Sequence, residues 1–146
     1  MTNLIAALKS RNYETVIAIF GQPTIDAEGS DENESGALHI AAQIGWLEAV
    51  QHLVARGAVV DRRNKFGATP LFFAAREGHE TVVAYLLEAD ADPHIANQNN
   101  VTPHDIASHK NHTRVAQLIG QVAARKRPQN KTDNMLNNIL NRKKAS

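Results

Sequence analysis

The sequence predicts an all-α solenoid, a stack of short antiparallel helix pairs joined by loops. Three observations carry that expectation. The chain resembles itself at a fixed spacing of 33 residues, as in Val16, Ala49, Val82 and Val115. Apolar residues recur in register at that spacing while their neighbours vary. A column of glycine and asparagine punctuates every unit. Such a pattern marks equivalent units that stack on one shared core, because a single unit cannot bury its own apolar face.

Laid against itself, the chain gives four passes without a gap. Beside the valine column stands Phe20, Leu53, Leu86 and Ile119; a third column reads Leu8, Ala41, Ala74 and Ala107, and a fourth Ala7, Ile40, Phe73 and Ile106. These are the expected core positions. The column Asn12, Gly45, Gly78 and Asn111 contains only residues that tolerate positive φ well, each just past a short apolar helix pattern. Each therefore reads as a left-handed helix terminus. Tyr13, Trp46, His79 and His112 follow at once and are expected to pack over that turn.

The elements follow in order. The first unit, residues 1–33, has no Thr-Pro start and reads as an N-terminal cap. Its connection from Gly21 to Ser35 is acidic and polar, with Asp26, Glu28, Asp31, Glu32 and Glu34. The second unit spans 34–66. In the third (67–99) and fourth (100–124), Thr69-Pro70 and Thr102-Pro103 each place an N-cap threonine before a first-turn proline. Pro128 is expected to end the last helix.

Composition agrees with thin, closely spaced helices: hydrophobic residues make up 42% but aromatics only 5%, so Ala, Val, Leu and Ile must build the core. Without cysteine there are no disulfides, thiolate ligands or thiol chemistry. No run approaches the roughly 18 apolar residues of a membrane span. Met1 to Ser10 lacks the layout of a secretory signal. Residues 1–124 carry nine Lys/Arg against fourteen Asp/Glu, a balance of −5, and residues 125–146 carry seven against one, a balance of +6. The body is acidic and the tail basic.

At the level of motifs the chain resembles the ankyrin-repeat family. Gly67-Ala68-Thr69-Pro70-Leu71 with Ala74-Ala75 and Gly78-His79 is close to the family consensus, as is Ala37-Leu38-His39-Ile40-Ala41-Ala42 with Gly45. So are Arg56-Gly57-Ala58 with Asp61, and Leu86 to Pro93, where Asp90 stands at the usual glycine. Thr102 to Ala107 looks like a closing repeat, with His104 at an expected leucine and so a polar outer face. The resemblance covers roughly residues 4–124 and implies an ankyrin solenoid with hairpin-like loops.

Clusters that suggest chemistry have plainer readings. His104, His109 and His112 lie close in sequence, but His112 shares the turn column with His79, and the resemblance gives His39 the structural task of tying a helix to its neighbouring loop. No second ligand cluster has zinc spacing, and no nucleophile elbow, phosphate loop or HExxH helix occurs. No metal, cofactor or catalytic residue is expected. In the tail, Arg125 to Arg127 and Arg142 to Lys144 flank a stretch in which Met135, Leu136, Ile139 and Leu140 share one helical face over 133–141. That segment reads as a short helix that docks or frays, as a nuclear import signal, as a nucleic-acid contact or as a partner-binding helix.

The resemblance implies a protein-binding scaffold or adaptor; the chain is expected to be monomeric and cytoplasmic, with a nuclear protein or a secreted bacterial effector as alternatives. Binding through the tail is the second reading of function, and nucleic acid enters only there. Carried over by register, loop tips and first helices place the contact at Glu32, Asn33, Ser35, Gln43 and Ile44; at Lys65, Phe66, Ala68, Arg76 and Glu77; and at Gln98, Asn99, Val101, His109 and Lys110. The centre is expected where Phe66, Lys65 and Arg76 neighbour Gln43 and Ile44.

Overall fold

The computed structural model describes residues 3–22 and 29–126. Eight helices run through them: α1 (Leu4–Lys9), α2 (Tyr13–Phe20), α3 (Ala37–Ile44), α4 (Leu47–Ala55), α5 (Pro70–Glu77), α6 (Glu80–Glu88), α7 (Pro103–His109) and α8 (Thr113–Arg125). Consecutive helices form antiparallel pairs. The first members, α1, α3, α5 and α7, stack as an inner row, while α4, α6 and α8 stack as an outer row. Among the described residues no strand forms; Ser30 and Gly36 make an isolated bridge. No described helix is long and apolar enough to cross a membrane.

Local chemistry sets the helix starts. Thr69 Oγ1 accepts the Phe72 N–H at 3.3 Å, and Pro70 occupies the first turn, where a missing N–H costs nothing. At α7, Thr102 Oγ1 accepts from Asp105 N at 3.2 Å and Asp105 Oδ2 accepts from Thr102 N at 3.0 Å, a reciprocal cap. Helix α3 has no such side chain at Gly36. There His39 Nδ1 accepts the Gly36 N–H at 3.1 Å, which places the ring proton on Nε2, and Nε2 donates to Ala68 O at 3.0 Å. His39 thus ties α3 to the next loop, as expected, and it is 1% exposed. Burial is the main cause that holds its imidazole below the ordinary value of 6.5.

The expected core columns are buried in three cases of four: the valine column, the Phe20–Ile119 column and the Leu8–Ala107 column. Each large apolar side chain removed from water contributes about 1.5–3 kcal/mol. The fourth column needs correction. Ala7 and Ile40 are buried, but Phe73 and Ile106 are only half-buried and face the groove described below. The polar outer face expected at His104 is present, since His104 and Asp105 are both exposed on α7.

The first helix pair departs from the gapless register. After each later turn, the N–H of Trp46, His79 and His112 returns to Ala41, Ala74 and Ala107 O; in the first pair the same bond runs from Asn12 to Ala7 O. Ala7, not Leu8, is therefore the partner of Ala41, an offset of 34. The left-handed residues are Gly45 (φ 82), Gly78 (φ 76) and Asn111 (φ 62), but in the first pair Arg11 (φ 54) takes that role. Asn12 instead caps α2, its Oδ1 accepting from Thr15 N at 3.1 Å. By Asp31 the spacing of 33 to Asn64 and Asn97 is restored, so the extra residue lies between Gln22 and Asp31. Two apolar neighbours, Ala7 and Leu8, are both buried and satisfy either register. Asparagine likewise suits both a cap and a left-handed turn.

Helix α8 ends at Arg125, ahead of Pro128 as expected. The tail from 127 onward, with the helical face expected over 133–141, and the acidic residues Asp26 and Glu28 lie outside the described residues.

Candidate functional site: the concave groove

The inner helices and the loop tips enclose an open groove of about 660 Å³. Its floor comes from one face of α3, α5 and α7: Ile40 and Gln43, then Phe72, Phe73 and Arg76, then Ile106, His109 and Lys110. The wall is a row of loop tips, each built round one Asx side chain. Asp31 Oδ1 accepts from Asn33 N (2.8 Å) and Ser35 N (3.0 Å). Asn64 Oδ1 accepts from Phe66 N and Ala68 N, both at 3.0 Å. Asn97 Oδ1 accepts from Asn99 N (2.9 Å) and Val101 N (3.1 Å). Each loop then turns through a positive-φ residue, Glu34, Gly67 or Asn100. Backbone bonds join neighbouring tips: Lys65 N to Asn33 O at 3.0 Å and Gln98 N to Phe66 O at 2.9 Å. With their amides satisfied internally, the tips form a continuous and preorganised wall.

Two of the groove's cations, Lys9 and Arg76, sit in ion pairs. Lys9 Nζ lies 2.9 Å from Asp31 Oδ2 and 3.4 Å from Glu32. Burial works to raise the Asp31 carboxyl, but Lys9 and the N–H groups of Ser35 and Asn33 outweigh it and hold it below the usual carboxylate range. The Arg76 guanidinium stacks 4.8 Å above the Phe73 ring and bonds through Nε to Glu77 at 3.0 Å. Lys65 Nζ stands 5.2 Å over Phe66, whose ring is 50% exposed. These cations over aromatic faces keep apolar area at the surface in fixed orientations.

The groove brings together Gln43, Phe66, Arg76, Asn99, His109 and Lys110, with Asn33 and Gln98 beside them. Ser35 and Ala68 reach it only as buried floor. It does not take in Ile44, which is half-buried and packs against the core rather than projecting beside Phe66. Lys65 sits over the Phe66 ring without lining the groove and donates to Glu32 O at 3.3 Å, Glu77 reaches the site only through Arg76, and Val101 is half-buried behind its own loop. His112 is not near a ligand cluster; its Nε2 meets Arg76 O at 3.0 Å. Among the described residues no three His, Asp or Glu side chains converge as metal ligands.

Sequence reasoning missed Lys9, and the register explains why. At the offset of 34 Lys9 aligns with Gln43, and onward at 33 with Arg76 and His109, one polar column along the groove floor. The spacing of 33 pairs Lys9 with Ala42 and hides it. The loop-building column Asp31, Asn64, Asn97 was visible at that spacing, and Asx is the residue type that bonds backbone two positions on.

The stacked pairs, the shared turns and the hairpin-like tips carry a recurring sequence. A family model described as ankyrin repeats (3 copies) matches residues 3–97 and 38–132. The chain belongs to the ankyrin-repeat family. It is similar to protein glp-1 of Caenorhabditis elegans, 33% identical over 105 residues, which is 68% of this chain and 8% of that protein. It is also similar to protein phosphatase 1 regulatory subunit 27 of Mus musculus, 39% identical over 70 residues, 48% of this chain and 46% of that one. The ankyrin repeat and KH domain-containing protein mask-1 of Caenorhabditis elegans is 33% identical over 100 residues, 64% of this chain and 4% of that protein. The chain thus spans less than half the length of each of these relatives. Ankyrin repeats are generally protein–protein interaction modules, and ankyrin proteins are typically non-enzymatic.

Proposed function

We propose that this ankyrin protein is a non-catalytic adaptor that holds a protein partner in the concave groove, centred on Phe66 and Arg76. The observation that carries the reading is an aromatic ring left half-exposed on a loop tip, lining the same groove as a guanidinium stacked over a second ring. Neither side chain is buried in the core. Aromatic and arginine anchors dominate measured interfaces, and a preformed wall reduces the ordering cost of binding. The phosphatase regulatory subunit among its relatives lends the adaptor reading support by analogy only.

The test uses the full chain as bait for affinity capture. For a captured partner, Phe66→Ala with Arg76→Ala is expected to weaken binding by about 2–4 kcal/mol in calorimetry, with the thermal melt little changed. Equal loss of binding and of folding would make Phe66 a packing residue. Unchanged binding would move the site off this face.

A further inference from the structure

The charge of the groove is opposite to that of the body round it. Residues 1–124 carry nine basic against fourteen acidic side chains. The groove lining nevertheless contains Lys9, Arg76 and Lys110 against a single acid, Asp31. Asp31 and Lys9 offset one another, and two backbone N–H groups also bind Asp31, so Arg76 and Lys110 are the cations left to a ligand. Lys110 makes no ion pair among the described residues. Glu77 engages only Nε of Arg76, so the terminal guanidinium nitrogens have no partner among the described residues. Those nitrogens form the fork that accepts a carboxylate in bidentate fashion.

From this we infer that the groove recognises an acidic, extended peptide segment bearing one aromatic or large aliphatic side chain; the inference rests on the adaptor reading above. The carboxylates meet Arg76 and Lys110, and the apolar side chain lies between Phe66, Phe73 and Ile106. Exposed amides of Gln43 and Asn99 offer a donor and an acceptor each to a peptide backbone. A nucleic-acid strand fits less well. It needs a continuous track of cations for its phosphates, whereas here the Lys9 and Arg76 charges alternate with the Asp31 and Glu77 carboxylates. The chain's own tail is excluded by sign, with seven basic side chains against one acidic over 125–146.

The test pans a library of short random peptides on the full chain. Enriched peptides are then synthesised and titrated against the wild type, Phe66→Ala/Arg76→Ala, and Arg76→Glu/Lys110→Glu, with Arg76→Gln/Lys110→Gln as the milder variant should the reversal unfold. The expected result is a net-negative set with one aromatic or large aliphatic residue. Its affinity should fall roughly tenfold or more on charge reversal and weaken as salt rises. Peptides that are neutral or basic, yet lose binding with Phe66→Ala/Arg76→Ala, would overturn the acidic specificity and leave the adaptor reading standing. Displacement of the peptides by a single-stranded RNA oligonucleotide at lower concentration would overturn it in favour of nucleic acid. No enrichment, or enrichment indifferent to every groove variant, would overturn the groove as a peptide site altogether.

Discussion

The first junction of the stack, where α1 and α2 meet α3 and α4, is joined differently from the two that follow. At the second junction His79 Nε2 meets Gln43 O at 2.9 Å, and its ring lies over the turn at Gly45, where a Cβ would come within 2.4 Å of it. At the third, His112 does the same to Arg76 O and Gly78, with a Cβ contact of 2.7 Å. The turn column therefore packs over the preceding repeat's turn, not its own. At the first junction Trp46 stands in place of the histidine and meets Tyr13 edge to face, ring centroids 4.6 Å apart. Phe20 stacks on His52 at 5.0 Å further along, and Arg56 bonds to Phe20 O and Gln22 O at the end of α2. Between the two ring pairs lies a cleft of about 260 Å³, lined by Ile17 and Ala49.

The difference teaches what glycine is for in this chain. Arg11 and Asn111 hold positive φ without glycine, so the backbone angle alone does not require it. Glycine stands at 45 and 78, where a histidine ring of the next repeat also occupies the place of a side chain. The groove rests mainly on these two ring-locked junctions, and from the first pair and its loop takes Lys9, Asp31, Asn33 and Ser35.

The largest effect expected is at Gly78. Gly78→Val meets both the strained φ and the His112 ring, and should cost about 3 kcal/mol or more in a denaturant titration. Gly78→Ala should still cost about 2 kcal/mol, since it displaces the ring and its bond to Arg76 O. Arg11→Gly should act in the other direction and stabilise by about 0.5–1 kcal/mol, because it relieves a left-handed L-residue whose side chain is exposed. Equal costs for alanine at 45, 78 and 111 would show that the rings impose nothing.

Next in size is the tie through His39. His39→Leu strands the Gly36 N–H and Ala68 O, at a cost of about 2–4 kcal/mol. The pH dependence follows from burial. The folded imidazole resists a proton that the unfolded chain accepts below about pH 6.5, so stability is unaffected above that value and declines as pH falls through it. His39→Gln, which keeps an acceptor and a donor, should remove this site's share of the slope between titrations at neutral and mildly acidic pH. An undiminished slope would assign it to other groups.

The smallest effect belongs to the first junction. Ala49→Val adds carbon to the cleft and matches Val82 and Val115, and should stabilise by up to about 1 kcal/mol. Ala75→Val, at a tightly packed position of α5, should instead cost about 1–3 kcal/mol. If both destabilise alike, the cleft is no looser than the later junctions.

Most of the fold was legible because it repeats: a residue type seen several times in register reports a shared environment. Thr69, Thr102, Gly45, Gly78 and Asn111 all hold the places that their chemistry implied, and His39 the place that the family resemblance implied. The first pair was misread by one residue because its signals are unspecific there: Ala7 and Leu8 are both buried, and Asn12 suits two roles. That slip also concealed Lys9. In the groove, Phe66, Arg76 and Gln43 were found by register, whereas the inward packing of Ile44 and the half-exposure of Phe73 depend on how far apart the helices sit. No periodicity encodes that spacing. The cleft beside Tyr13 and Trp46 was invisible for the same reason.

Amide hydrogen exchange of the full chain, with and without a captured partner, tests the central claim that binding uses the concave face. Among the described residues, the N–H groups of Phe66, Ala68, Asn99 and Val101 are held only by the side chains of Asn64 and Asn97, so they report directly on the loop tips. The partner is expected to slow exchange across 64–68 and 97–101 and at the end of α5, and to leave α2 and α4 unchanged. Slowed exchange in α2 and α4 with unaltered loop tips would place the partner in the cleft beside Ile17 and contradict the account.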